Sequence, residues 1–353
     1  MALNLASAWA DEGHEVYLVS IRDVSDYAHL IPSSVRHVCL GVKRVRYSVP
    51  PLRRTINQIR PDGILSVIRD SNILIAISMP PGTGTHIVFR EANTLHAVIN
   101  RPWIIRVVHL WLLRIAYLRA DVVVSNSNDT QKDLVSRGIA RKNGCVIPNP
   151  VLPRNYRSLC REPVEHAWLC DPSIQTIVSA GRLSEAKDFS SLLMAFSIVY
   201  AQRPNLRLVI LGQGEEEAEL KRLAQDLGIA RAVDFAGFVE NPWAYYSRSD
   251  VFALCSRWEG FGNVIVEALA TGTTVVVTDC PGGPGMIVGY GKYGYLAPVG
   301  RPESFAHALE RALDSPLDPK LLVRRAEEFS VRRISQLYLS ALDKRIPSKI
   351  TER

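Results

Sequence analysis

Residues 256–270 read Ser-Arg-Trp-Glu-Gly-Phe-Gly-Asn-Val-Ile-Val-Glu-Ala-Leu-Ala and directly follow the apolar run Val251–Leu254. A short, wholly apolar run bounded by turn residues reads as a strand buried on both faces of a parallel sheet. Gly260 and Gly262 bracket Phe261 and allow a tight turn, after which Asn263 opens a helix. The first N–H groups of that helix have no intrahelical acceptor and point back toward the strand ends. Backbone donors and the helix dipole together make an anion site there, and a diphosphate fits it. Glu259 precedes the helix and Glu267 lies inside it. Eight residues of helix rise about 12 Å, more than the ~5–9.5 Å that separates the carboxyl groups of a hydrolase pair. The spacing suits two contacts along one elongated ligand. The plainer alternative is a loop glutamate and an ordinary helix-surface glutamate.

Outward from this stretch, strands and helices alternate on both sides. Thr176–Ala180, Leu206–Leu211, Val233–Phe235 and Thr274–Thr278 read as strands, with helices over Phe189–Tyr200, Glu215–Leu227, Pro302–Leu313 and Pro319–Phe329. In the first half, the helix Ala2–Asp11 precedes strand-like runs at Glu15–Ser20, Val35–Leu40, Gly63–Val67, Thr85–Phe89, Asp121–Ser125 and Gly144–Ile147. Such alternation implies βαβ units and parallel sheets. Pro148-Asn149-Pro150 and the irregular stretch to Ser173 interrupt the pattern and mark a boundary. The expected class is therefore α/β, with two facing doubly wound, Rossmann-like domains. Their expected limits are residues 1–152 and 153–328, with a helical segment 329–353 packing back toward the first. Ligands in such sheets bind beyond the carboxyl ends of the strands, so the cleft between the domains is the expected site.

At 353 residues, with 47% hydrophobic and 22% charged residues, the chain is of ordinary globular composition, and wholesale disorder is excluded. Six scattered cysteines include no C-x-x-C pair, so neither a zinc site nor a redox motif is indicated. No apolar run approaches the ~18 residues of a membrane span, and the N-terminus lacks the basic-then-apolar pattern of a signal peptide. The expected location is cytoplasmic, or peripheral on the inner face of the cytoplasmic membrane. Residues 1–150 carry 18 Lys and Arg against 11 Asp and Glu, the whole of the +7 net charge. A basic half attracts phosphorylated substrates, acidic lipid headgroups or nucleic acid. No nucleic-acid recognition module accompanies the charge, which sets that partner aside.

Two further motifs follow strands. In Ser179–Lys187 (S-A-G-R-L-S-E-A-K), Gly181 permits a turn, Arg182 offers a planar fork for phosphate, and Lys187 adds a point charge. Read alone, these two also suit solvated surface cations. Leu211-Gly212-Gln213-Gly214 looks superficially like a dinucleotide fingerprint. Glu215–Glu217 would put three negative charges where its pyrophosphate belongs, which argues against NAD binding here and makes a strand-to-helix turn the better reading.

Taken together, G-R-L-x-x-x-K at 181–187, L-G-x-G at 211–214, Gly237-Phe238 followed by Asn241-Pro242, and E-G-F-G-x-x-x-x-E at 259–267 resemble the family-four retaining glycosyltransferases of the GT-B fold. V-I-P-N-P-V at 146–151 resembles that family's domain junction. The resemblance implies donor binding by Gly181, Arg182, Lys187, Phe238, Gly260, Phe261, Gly262, Asn263, Val264 and Glu267. Arg182 and Lys187 would hold phosphates, Glu267 the ribose hydroxyls, Glu259 the transferred sugar, and Phe238 would flank the base. Glu259, Arg182 and Lys187 are the implied catalytic set. It implies no metal and no cofactor beyond a nucleotide-diphosphate sugar, UDP-sugar in preference to GDP-sugar. Transfer would go to a lipid-linked or cell-envelope saccharide, on the front face of the sugar, a leaving-group oxygen taking the acceptor proton. A nucleotide-sugar epimerase and a sugar-nucleotide-binding remnant are the rival readings.

Two positions depart from the family pattern. Met286 stands where many relatives carry Glu, and Ala92 where they often carry His, leaving Glu91 or Asn93 as acceptor-side candidates. The helix expected over Arg101–Ala120 has one apolar stripe, Ile104, Val107, Val108, Trp111, Ile115 and Leu118, expected to be core. Its opposite side mixes Arg101, Arg106, His109 and Arg114 with apolar residues, a composition suited to an anionic membrane surface. Finally, a doubly wound domain opens on a strand, whereas this chain opens on a helix. The expectation is that a central first strand of this domain is missing, so that either the chain starts late or it is a crippled fragment.

Overall fold

The computed structural model describes residues 1–23, 29–80, 82–92, 102–140 and 144–343. The chain forms two compact units, one of residues 1–150 together with the segment from Val331, the other of Val151–Ser330.

The first unit contains α1 (Ala2–Asp11), β1 (Tyr17–Ser20), β2 (Arg36–Cys39), α2 (Val49–Ile59), β3 (Gly63–Ser66), α3 (Arg69–Ser78), β4 (His86–Glu91), α4 (Trp103–Tyr117), β5 (Val122–Ser125), α5 (Asn128–Ser136) and β6 (Cys145–Val146). In the second unit follow α6 (Tyr156–Leu159), α7 (Ala167–Cys170), β7 (Gln175–Ala180), α8 (Phe189–Gln202), β8 (Leu206–Leu211), α9 (Glu217–Asp226), β9 (Val233–Gly237), α10 (Pro242–Tyr246), β10 (Val251–Leu254), α11 (Asn263–Ala270), β11 (Thr274–Thr278), α12 (Pro284–Ile287), β12 (Tyr295–Ala297), α13 (Pro302–Asp314) and α14 (Pro319–Glu327). The last helix, α15 (Val331–Leu342), belongs to the first unit.

The second unit's sheet has the order β12-β11-β10-β7-β8-β9, every pair parallel. Every residue of β10 and β11 is buried. They do not alternate because helices cover both faces of the sheet. Val178, Phe252 and Val277 point to one core with Ile265 of α11 and Leu322 of α14. Ile177, Ala253 and Val276 point to the other, with Phe196 of α8 and Leu309 of α13. Asp188 starts α8 by accepting from Ser191 N, which satisfies one of the orphan donors of its first turn.

In the first unit the parallel strands fall into two sheets, β1-β2 and β3-β4-β5-β6. Among the described residues no strand ladders β1 to β3. On β1, Val19 is 38% exposed, whereas Val88 and Val124 of the central strands are fully buried. Ile87, Phe89 and Val123 pack with α2, α3 and α4. Val88 and Val124 pack with Leu5 of α1 and with Ile334 and Tyr338 of α15. The Trp9 indole donates to Ser335 O at 3.1 Å, tying α1 to α15.

The structure corrects one reading of the sequence. The stripe Ile104, Val107, Val108, Trp111, Ile115 and Leu118 is exposed, and the buried side of α4 is Leu113, Ala116 and Tyr117. Amphipathicity ranks faces by apolar content. Here a polar anchor decides instead, because the Tyr117 hydroxyl reaches Glu91 on β4 and turns the helix accordingly.

Candidate active site

β7 and β10 are neighbours at the middle of the second unit's sheet, and the strand order runs outward from them in opposite directions. At such a switch point a doubly wound sheet opens a crevice beyond its strand ends. The loops leaving these two strands are 181–188 and 255–262. They are tied by main chain, Arg257 N donating to Ala186 O at 2.9 Å, and by the Arg257 guanidinium, 3.1 Å from Asp188.

The same two loops meet through Lys187 and Glu259. The Lys187 ammonium donates to Glu259 Oε1, and the Ser256 hydroxyl donates to the same oxygen at 2.6 Å. Both partners are mostly covered, with 19% and 9% of their side chains exposed. Ser256 is held by Thr278, whose hydroxyl donates to its carbonyl at 2.6 Å. Glu259 is fixed from behind by Pro281, whose carbonyl accepts from its N–H at 3.0 Å. A Cβ on Gly282 would lie 2.1 Å from the Glu259 carbonyl oxygen, so the loop after β11 closes on Glu259 only because this residue is glycine.

The turn after β8 packs on the loop after β7 in the same way. A Cβ on Gly212 would lie 2.0 Å from Gly181 O. Leu183 N donates to Gln213 O at 3.0 Å, and Gly212 N to Gly237 O at 2.6 Å. The L-G-Q-G motif is thus a spacer that sets the height of Arg182 and of Phe238, whose ring is 73% exposed. Arg182 is exposed and donates through Nε to Glu215 Oε2 at 3.2 Å. Glu215 is kept below the usual carboxylate range, first by its own backbone N–H and also by Arg182.

Gly262 is the N-cap of α11, with φ +95° and no side-chain cap. Asn263 is exposed and Val264 half-buried. Phe261 is different: its ring is in the core, edge-on to Phe329 at 5.8 Å. Its apolar ring is stabilised by that burial. Glu267 lies one helical turn after Asn263, on the same face. Burial pushes its carboxyl up to about 7, with the neighbouring Tyr246 hydroxyl pulling it partly back. Met286 sits against the core and its carbonyl accepts from Arg325 Nη2 at 2.6 Å.

In the first unit, Glu91 ends β4 with both oxygens engaged internally. Arg69 donates to them through Nε at 3.0 Å and Nη2 at 2.8 Å, and the Tyr117 hydroxyl adds a third bond at 2.8 Å. This network pins α3 and α4 to β4. Asn93, the other acceptor-side candidate, and Arg101 lie outside the described residues. Motif reading missed Ser256, Tyr246, Arg69 and Tyr117. Only Ser256 left a signal, a hydroxyl three residues before Glu259 in a turn. Among the described residues, no three His, Cys, Asp or Glu side chains form a metal-binding group.

Residues 171–329 match the family described as Glycosyl transferases group 1, and residues 1–153 match Glycosyltransferase Family 4. The chain belongs to the glycosyltransferases. It is 30% identical over 234 residues to the N-acetylgalactosamine-N,N'-diacetylbacillosaminyl-diphospho-undecaprenol 4-alpha-N-acetylgalactosaminyltransferase of Campylobacter jejuni, covering 66% of this chain and 62% of that one. It is 37% identical over 185 residues to the lipopolysaccharide core biosynthesis glycosyltransferase LpsE of Rhizobium meliloti, covering 51% and 53%. The match spans less than two thirds of either relative. Among solved structures, Anabaena HepE in complex with UDP aligns with a TM-score of 0.77 and 20% identity, over 97% of this glycosyltransferase and 94% of HepE. The lipopolysaccharide outer core galactosyltransferase WaaB aligns with a TM-score of 0.72 and 18% identity, over 97% and 94%. These likenesses establish the fold of the glycosyltransferase as GT-B, with two Rossmann-like units.

Proposed function

We propose that this glycosyltransferase moves a sugar, with retention, from a nucleotide-diphosphate sugar to a lipid-linked or other cell-envelope saccharide. The observation that carries the reading is the Lys187–Glu259–Ser256 cluster between the loops after β7 and β10, beside the uncapped N-terminus of α11. Lys187, Arg182 and the helix N-terminus place positive charge where a leaving diphosphate develops its negative charge. In this reading no divalent metal is needed for that task. Glu259 Oε1 is held by two donors, and Oε2 accepts from neither, which leaves it for a sugar hydroxyl. Glu267 takes the ribose and Phe238 flanks the base.

In the step itself, the bond from the anomeric carbon to the diphosphate oxygen breaks. A bond from the acceptor oxygen to that carbon forms on the same face. The acceptor proton passes to a diphosphate oxygen, and the nucleoside diphosphate leaves. Support for UDP comes from HepE, crystallised with UDP and with UDP-glucose. Support for an envelope acceptor comes from the names of the Campylobacter and Rhizobium relatives. The test is Glu259→Gln: transfer is lost while UDP binding persists. Unchanged turnover overturns the assignment, and conversion of the donor without any acceptor favours an epimerase.

A further inference from the structure

We propose that α4 is an interfacial helix that docks the first unit on an anionic lipid bilayer, its apolar face lying in the headgroup boundary. Trp103, Ile104, Val108, Trp111 and Leu118 are each more than half exposed, along one continuous face. With Val107 and Ile115 the face offers roughly 800 Å² of apolar surface, against ~300–600 Å² for the largest patch of a typical monomer. Water alone does not stabilise such a face, so it has an occupant.

Charge selects the occupant. Residues 92–120 hold four arginines, two histidines and no Asp or Glu. Arg114 donates to Arg137 O, and Arg119 to Met79 O. On α2, Arg53 likewise donates to Ser78 O and Ile77 O. These partners are carbonyl oxygens, and among the described residues no carboxylate pairs with these three guanidinium groups. A second copy of the chain would set these like charges against themselves, which disfavours self-association through this unit. An anionic bilayer meets both features, taking the apolar side chains below its headgroups and the arginines at them.

The geometry gives the pose. Fifteen residues span about 22 Å, less than the ~30 Å hydrocarbon core, and among the described residues no helix is long and apolar enough to cross a membrane. The helix therefore lies along the surface, with Trp103 and Trp111 at the depth where indoles concentrate. The inference deepens the proposed reading by putting the enzyme where a lipid-linked acceptor lies. Its test uses neither donor nor acceptor, so either can fail alone.

The experiment is co-sedimentation of the full chain with vesicles of phosphatidylcholine, with and without phosphatidylglycerol, at two salt concentrations. The expected result is partition onto anionic vesicles that weakens with salt. The triple variant Ile104→Ser, Val108→Ser, Trp111→Ser is expected to partition at least about tenfold less, with its melting temperature and UDP binding unchanged. Independently of any variant, bromine-labelled acyl chains are expected to quench tryptophan fluorescence of the native protein. Absent binding to anionic vesicles, equal partition of the triple variant, or unquenched fluorescence would overturn the proposal. So would a native dimer that the triple variant converts to monomers, since the face would then be a contact between copies.

Discussion

Glu267 offers a test in which function and stability move in opposite directions. Its carboxyl is raised from 4.5 to about 7, chiefly by burial. From about pH 4.5 to 7 the native state keeps a proton that the unfolded chain has lost, so this group's contribution to stability falls as pH rises through that window. A shift of that size corresponds to about 3 kcal/mol above pH 7. Water reaching the half-buried side chain reduces this to about 2 kcal/mol. Glu267→Gln removes the titration and keeps the size of the side chain. The variant is expected to match the native protein near pH 4.5. By pH 8 it is expected to be about 2 kcal/mol more stable, which raises the melting temperature of a unit this size by roughly 4–8 °C. Scanning calorimetry of both proteins from pH 4.5 to 8 gives the comparison, and UDP titration at pH 8 gives the functional arm, where the variant binds more weakly. A variant no more stable than the native protein at pH 8 would refute the reasoning that burial strains this carboxylate.

Arg69→Ala leaves Glu91 buried with only Tyr117 as a partner, and is expected to destabilise the first unit by about 3–5 kcal/mol; hydrogen exchange should show α3 and β4 losing protection while β10 and β11 keep theirs. On the proposed reading, in which side chains and the α11 N-terminus carry the electrostatic work, transfer activity is expected to persist in excess EDTA. A strict Mg²⁺ requirement would count against that.

The second unit was legible in the sequence because its strands are uninterrupted apolar runs and its loops carry glycines that backbone contact demands. Gly212 against Gly181 O and Gly282 against Glu259 O are examples. The first unit was harder to read. Its stabilising contacts are polar and long-range, as between Glu91 and Arg69 or Tyr117, and no local periodicity encodes them. For that reason apolar periodicity alone points the exposed side of α4 at the core. The place of Glu259 in the loop before the helix is readable from the motif, but its pairing with Lys187 spans 72 residues and emerges only from the strand order.

The central claim, that Lys187 holds the donor's diphosphate, is tested most directly by calorimetric titration of UDP and UMP into the native protein and Lys187→Ala. The account predicts that losing the β-phosphate weakens binding to the native protein by roughly tenfold or more, and that most of this difference vanishes in the variant, the signature of two groups in contact. Equal weakening of UDP and UMP by Lys187→Ala would contradict it.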